Sequence, residues 1–136
     1  MTTLRLIGAV LLIAVWAGCD GLSDPEPRGP SHALEIHLQN SFDGDAVRVT
    51  IDGTPVFAGA VTTDYVWSLA RIIELERPQG SHRVTVVVNE MHRASATFTL
   101  DRPLYLGVRF YPEPLPRLSI EEGVVIDVTD QRFVYD

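Results

Sequence analysis

From His32 onward, apolar residues recur at every second position, and this period most constrains what the chain can fold into. A β-strand turns successive side chains to opposite faces, so alternation means one buried face and one wet face. In HALEIHLQN, Leu34, Ile36 and Leu38 alternate with Glu35, His37 and Gln39. In AVRVTID, Val47, Val49 and Ile51 alternate with Arg48 and Thr50, and DGTP then signals a turn into VFAGAV. HRVTVVVN sets Val84, Val86 and Val88 on one face, and RASATFTL does the same with Ala94, Ala96, Phe98 and Leu100. LYLGVRFY adds Leu104, Leu106, Val108 and Phe110, and after PEPLP the segments LSIEEGVVIDV and RFVY supply two or three more strands. Short strands separated by Gly, Pro, Asn and Asp predict an all-β fold, a single antiparallel β-sandwich of about 7–9 strands.

Parity sharpens one hairpin. Val84, Val86 and Val88 must face the same core as Ala94, Ala96 and Phe98, which a two-residue turn at Glu90-Met91 would prevent. A loop of odd length around Met91, or a bulge, is expected. Residues 64–76, DYVWSLARIIELE, fit two periods: Val66, Leu69, Ala70 and Ile73 suit a helix, and Leu69, Arg71, Ile73 and Leu75 suit a strand. Glu74 and Glu76 would oppose a helix dipole at its C-terminal end, which favours the strand.

The first 31 residues read differently. Arg5 precedes an apolar run over 6–17 that ends in Ala17-Gly18, too short to span a bilayer and suited to a secretory signal peptide. Cys19, the chain's one cysteine, follows directly. Trp16-Ala17-Gly18-Cys19 resembles the lipobox of bacterial lipoproteins, with Trp16 where the usual form has Leu. The resemblance implies a diacylglycerol on the Cys19 thiol, cleavage before it, and often acylation of the new amine. The chain would then be held in the cell envelope, on the far side of the cytoplasmic membrane, with inner and outer membrane both open. More than one acyl chain makes such attachment effectively permanent. DGLSDPEPRGPS, with Pro25, Pro27 and Pro30, has extended-spacer composition. The expected organisation is a signal peptide over 1–18, a lipidated cysteine and tether over 19–31, and the sandwich over 32–136. The stretch LERPQGSHRVTVVVN resembles the loop-then-strand segments of immunoglobulin-like and transthyretin-like domains of bacterial envelope proteins, which implies an immunoglobulin-like sandwich.

Charge and chemistry narrow the function. The chain has 11 basic residues, all Arg, against 18 acidic, for a net charge of −7. Nucleic acid is a poor partner for such a surface, because phosphate binding needs a basic stripe. No serine sits in a Gly-x-Ser-x-Gly elbow, Cys19 is committed to lipid, and no cofactor is implied. His82 and His92 flank one strand about 33 Å apart if it runs straight, and His32 and His37 have opposite parity. All four histidines are expected at the surface or rim. Asp43 and Asp45, with Asp52 at the far end of the next strand, are candidate Ca²⁺ ligands, although Asp-Gly is also common turn chemistry. If Leu104, Leu106, Val108 and Phe110 face inward, Tyr105, Gly107, Arg109 and Tyr111 share the other face. Joined by Trp67 and Tyr65, they would make a platform for sugar rings or a peptide; ordinary cross-strand packing uses the same residues. The expectation is a non-enzymatic, membrane-anchored binding or assembly module for a protein, peptide or glycan. The alternatives are a structural subunit of an envelope complex and, with no assembled constellation to support it, a small hydrolase.

Overall fold

The computed structural model describes residues 29–136, and these form eight strands and one short 3₁₀ turn. The expected signal peptide, Cys19 and most of the expected tether fall on residues 1–28, outside the described residues. The strands are β1 (Ser31–Leu38), β2 (Asp43–Ile51), β3 (Thr54–Thr62), β4 (Arg71–Pro78), β5 (Gly80–Val88), β6 (His92–Leu100), β7 (Leu104–Tyr111) and β8 (Gly123–Thr129). They form two four-stranded sheets, β4-β1-β7-β8 and β3-β2-β5-β6, packed as a sandwich. Among the described residues no helix is long and apolar enough to cross a membrane.

The alternation predicts the core well. Leu34, Ile36 and Leu38 of β1 and Leu106 and Val108 of β7 are buried on the first sheet. Val47, Val49 and Ile51 of β2 and Val84, Val86 and Val88 of β5 are buried on the second, and the two sets form one cluster. Asp52 and Gly53, both with positive φ (51° and 80°), form the two-residue turn between β2 and β3. Primed turns need that geometry at both central residues, which is why Asp-Gly works there. The β5–β6 register pairs Val88 with His92 and Val84 with Ala96, leaving the expected odd loop of three residues, 89–91.

Three expectations need correction. The sandwich is not wholly antiparallel, because β1 and β7 pair in parallel. Successive strands reverse direction along the chain, so two odd-numbered neighbours must run the same way. RFVY forms no strand; residues 130–136 leave β8 and lay Phe133 and Tyr135 over the outer face of the first sheet. Over 64–76, the strand reading holds only from Arg71 onward, and the preceding residues form a closed loop.

Candidate functional site

Because the strands alternate in direction, the connections sort onto two ends. Residues 39–42, 63–70, 89–91 and 112–122 lie at one end; Ser31, the first residue of β1, lies at the other. Thr63 ties the first two of these loops together. Its backbone N–H donates to Phe42 O (2.9 Å) and its hydroxyl donates to Gln39 O (2.8 Å). The same hydroxyl oxygen accepts from Phe42 N (3.0 Å). Phe42 is thereby held fully buried, its ring stacked 5.8 Å from Phe110.

Two loops at this end share one construction. Asp64 and Leu69 exchange backbone hydrogen bonds (2.9 and 3.3 Å), as do Leu115 and Ile120 (2.7 and 3.2 Å). Each pair closes a six-residue loop that ends its turn on a serine with positive φ, Ser68 and Ser119. Asp64 Oδ1 also accepts from Val66 N at 2.9 Å. The closed bases display apolar side chains to solvent: Tyr65, Val66 and Trp67 are 75, 73 and 52% exposed, and Leu118 is 67% exposed. A cleft of about 390 Å³ lies between the loops, with Tyr65, Tyr111, Leu115, Ser41, Asp43 and Glu113 among its lining. Met91, on the β5–β6 loop, is also exposed at this end. Apolar side chains gathered on closed loops at one end make this end the candidate interaction surface.

The expected aromatic platform is placed as parity requires, but it is largely covered. Tyr105, Gly107, Arg109 and Tyr111 do share the outer face of β7. Gly107 lies beneath the chain's last residues, and a Cβ there would come 2.8 Å from the Phe133 ring. Tyr111 is buried, and Arg109 is engaged by Asp127 and by the Tyr111 hydroxyl. The Arg109 Nε is buried without a hydrogen-bond partner among the described residues. Trp67 belongs to the loop end instead, at the tip of the 64–69 loop.

His37 is the centre of what covers that face. It is 1% exposed, with Phe133 at 5.2 Å and Tyr135 stacked at 5.7 Å. A single direction of donation satisfies the network: Gln39 Nε2 to Tyr135 Oη (3.2 Å), Tyr135 O–H to His37 Nδ1 (2.7 Å), and His37 Nε2–H to Glu35 (2.9 Å). Burial, reinforced by the Glu35 carboxylate and opposed by the Gln39 hydrogen bond, raises the Tyr135 phenol above its ordinary pKa. His82 is also buried, with Nδ1 2.6 Å from Asp52 Oδ2 and Nε2 2.6 Å from Pro78 O. The surface or rim placement expected for all four histidines is therefore wrong for His37 and His82. Strand alternation does not reveal that a turn carboxylate or a returning tail will cover an imidazole.

The metal candidates do not converge. Asp45 accepts from Asp43 N and from Asn89 Nδ2, and both Asp52 oxygens are taken, by His82 and by Arg83 N. Among the described residues no three His, Cys, Asp or Glu side chains gather around one point. His82 and His92 stand on opposite arms of a hairpin that turns at 89–91. That brings them to about 20 Å rather than 33 Å, still too far to share a ligand. No family model and no curated protein matches the chain.

Proposed function

We propose that the chain is a membrane-anchored envelope lipoprotein whose β-sandwich is a non-enzymatic binding module working through its loop end. One observation carries the reading. The apolar loops lie at the end opposite Ser31, so a tether running from Cys19 to Ser31 leaves them unobstructed. Their partner is a protein surface with apolar side chains and basic groups, because Asp43 and Glu113 line the cleft beside the exposed Tyr65, and Asp64 precedes Tyr65 in its loop. As to fold type, an immunoglobulin constant domain joins its first, second, fourth and fifth strands in one sheet. Here β1 and β2 lie in different sheets, so of the two resemblances we favour the transthyretin-like one.

Two measurements test this. Cys19→Ser is expected to move the protein from the membrane to the soluble fraction of fractionated cells; unchanged membrane association would overturn the anchor. A photoreactive residue at Val66 is expected to give a discrete crosslinked product in intact cells, and the same residue at Thr97, on exposed β6, is expected to give none. Equal products at both sites would remove the loop end as the binding surface.

A further inference from the structure

The four sheet edges are not equivalent. β6 and β8 lie against each other and close one side of the sandwich. On the other side β4 carries Arg71, Glu74, Glu76 and Arg77, whereas β3, TPVFAGAVT, has nine residues and no charge. Ala58, Gly59 and Ala60 at its centre are exposed. Soluble proteins ordinarily guard an edge strand with charge, bulges or a covering element, because its free N–H and C=O groups pair with any available strand. The irregularities of β3, opposite Val49–Thr50 and Asp43–Asp45, fall toward its two ends, and its proline is at position 55. Between them, residues 57–61 pair with β2 in unbroken register; among the described residues no strand pairs with their other side, and β4 reaches this stretch through Arg71, whose guanidinium lies 4.8 Å from the Phe57 ring centroid.

The register shows which groups are free. Ala46 exchanges hydrogen bonds with Asn89 on the β5 side, through its N–H to Asn89 Oδ1 and its C=O to Asn89 N. Antiparallel alternation then turns Val47 and Val49 toward β3, where they face Gly59 and Phe57. The N–H and C=O of Ala58 and Ala60 therefore point away from β2, with no backbone partner among the described residues. A groove of about 230 Å³ runs beside them, floored by small residues and bounded by the Arg48–Glu90 ion pair.

We propose that this edge pairs with the same edge of a second copy, β3 antiparallel to β3, on a two-fold axis through Gly59. That register matches Ala58 of one copy with Ala60 of the other, twice over, so these outward-facing groups are all satisfied in both copies. The two sheets become one eight-stranded sheet, β6-β5-β2-β3 continued by β3-β2-β5-β6 of the partner. Self-pairing also explains the missing charge, since a charged side chain here would lie close to its own copy. The interface is isologous and closes at two, so the exposed edge does not lead to open-ended assembly. The pairing sets the two copies' strands in opposite directions. A tether of about a dozen residues at ~3 Å each is as long as a nine-residue strand at ~3.4 Å each, so both copies can reach one membrane that lies along the strands, with neither loop end turned toward it. Each loop end stays clear of its own tether, and the pairing does not depend on what those loops bind.

Residues 29–136 carry the eight strands and the core, so a fragment of that span serves for hydrodynamics. It is expected to sediment as a dimer at high micromolar concentration. Ala60→Lys, at an exposed position, is expected to weaken the dimer about tenfold or more, because two ammonium groups must then be brought to the seam. In the intact chain carrying Cys19→Ser, Gly59→Cys is expected to form an intermolecular disulfide on mild oxidation. Residues facing each other in a non-hydrogen-bonded pair have Cα atoms about 4.5 Å apart, within disulfide reach. Thr97→Cys is expected not to crosslink. A monomer up to millimolar concentration would overturn the proposal. So would a dimer that survives Ala60→Lys and gives no Gly59→Cys crosslink, or a fragment that binds extended peptides at this edge but not itself.

Discussion

Phe42→Ala is expected to destabilise the domain by about 3–5 kcal/mol, the usual cost of emptying a buried aromatic site. For a domain of this size that lowers the thermal midpoint by roughly 15 °C or more. Phe42 sits between β1 and β2, where the strand pattern breaks, yet none of its side chain reaches solvent. Its ring stacks on Phe110 of β7, and its N–H and C=O are both bonded to Thr63. The site therefore cannot collapse easily: the backbone is pinned, and Phe110 is itself fixed at the end of β7. Urea titration measures the loss. A change below about 1.5 kcal/mol would mean that the ring is not an integral part of this core.

Phe42 and Ile36 are equally buried, but only one of them is legible in the sequence. Ile36 announces itself because Leu34 and Leu38 repeat its period, and a period of two has one structural meaning. The same logic places the β5–β6 loop, where parity alone excludes two residues, and turn chemistry places Asp52-Gly53, where both residues must take positive φ. Phe42 belongs to no period. It is buried by where the chain crosses from β1 to β2 between sheets, which is a property of the whole sandwich. Phe133 and Tyr135 are legible as apolar but not as a cover, because alternation in RFVY imitates a strand when no partner edge is available. The outward face of β7 follows from parity, but its burial does not, since the residues that cover it lie beyond the next strand. At the loop end, Tyr65 and Trp67 stand out for their chemistry. The closures at Asp64–Leu69 and Leu115–Ile120 that present the apolar residues leave no simple pattern in the sequence.

Raising the pH is expected to weaken the fold through His82, by about 1–2 kcal/mol, below the full value of a charge-assisted hydrogen bond because Asp52 is partly exposed. Both ring nitrogens face atoms that only accept, the Asp52 carboxylate and the Pro78 carbonyl, so both must donate and the imidazolium is the form that fits. Burial pushes the His82 pKa down, but the hydrogen bonds to Asp52 and Pro78 outweigh it and leave the value above 6.5. Burial likewise pushes the Asp52 carboxyl up, and the bonds from His82 and Arg83 N–H outweigh it and leave the value below 3.8. A raised histidine contributes its stability in full below its unfolded pKa and loses it as pH climbs through the folded one. A depressed carboxylate contributes in full above its unfolded pKa and loses it as pH falls through the folded one. The pair therefore holds the β2–β3 turn against the start of β5 best between about pH 4 and 6.5. Urea unfolding across pH 5–9 is expected to show the alkaline loss in the parent protein and to lack it in His82→Gln, with Asp52→Asn reducing it. An equal loss in His82→Gln would show that the titrating group lies elsewhere and that the His82–Asp52 pair does not set the alkaline limit of the fold.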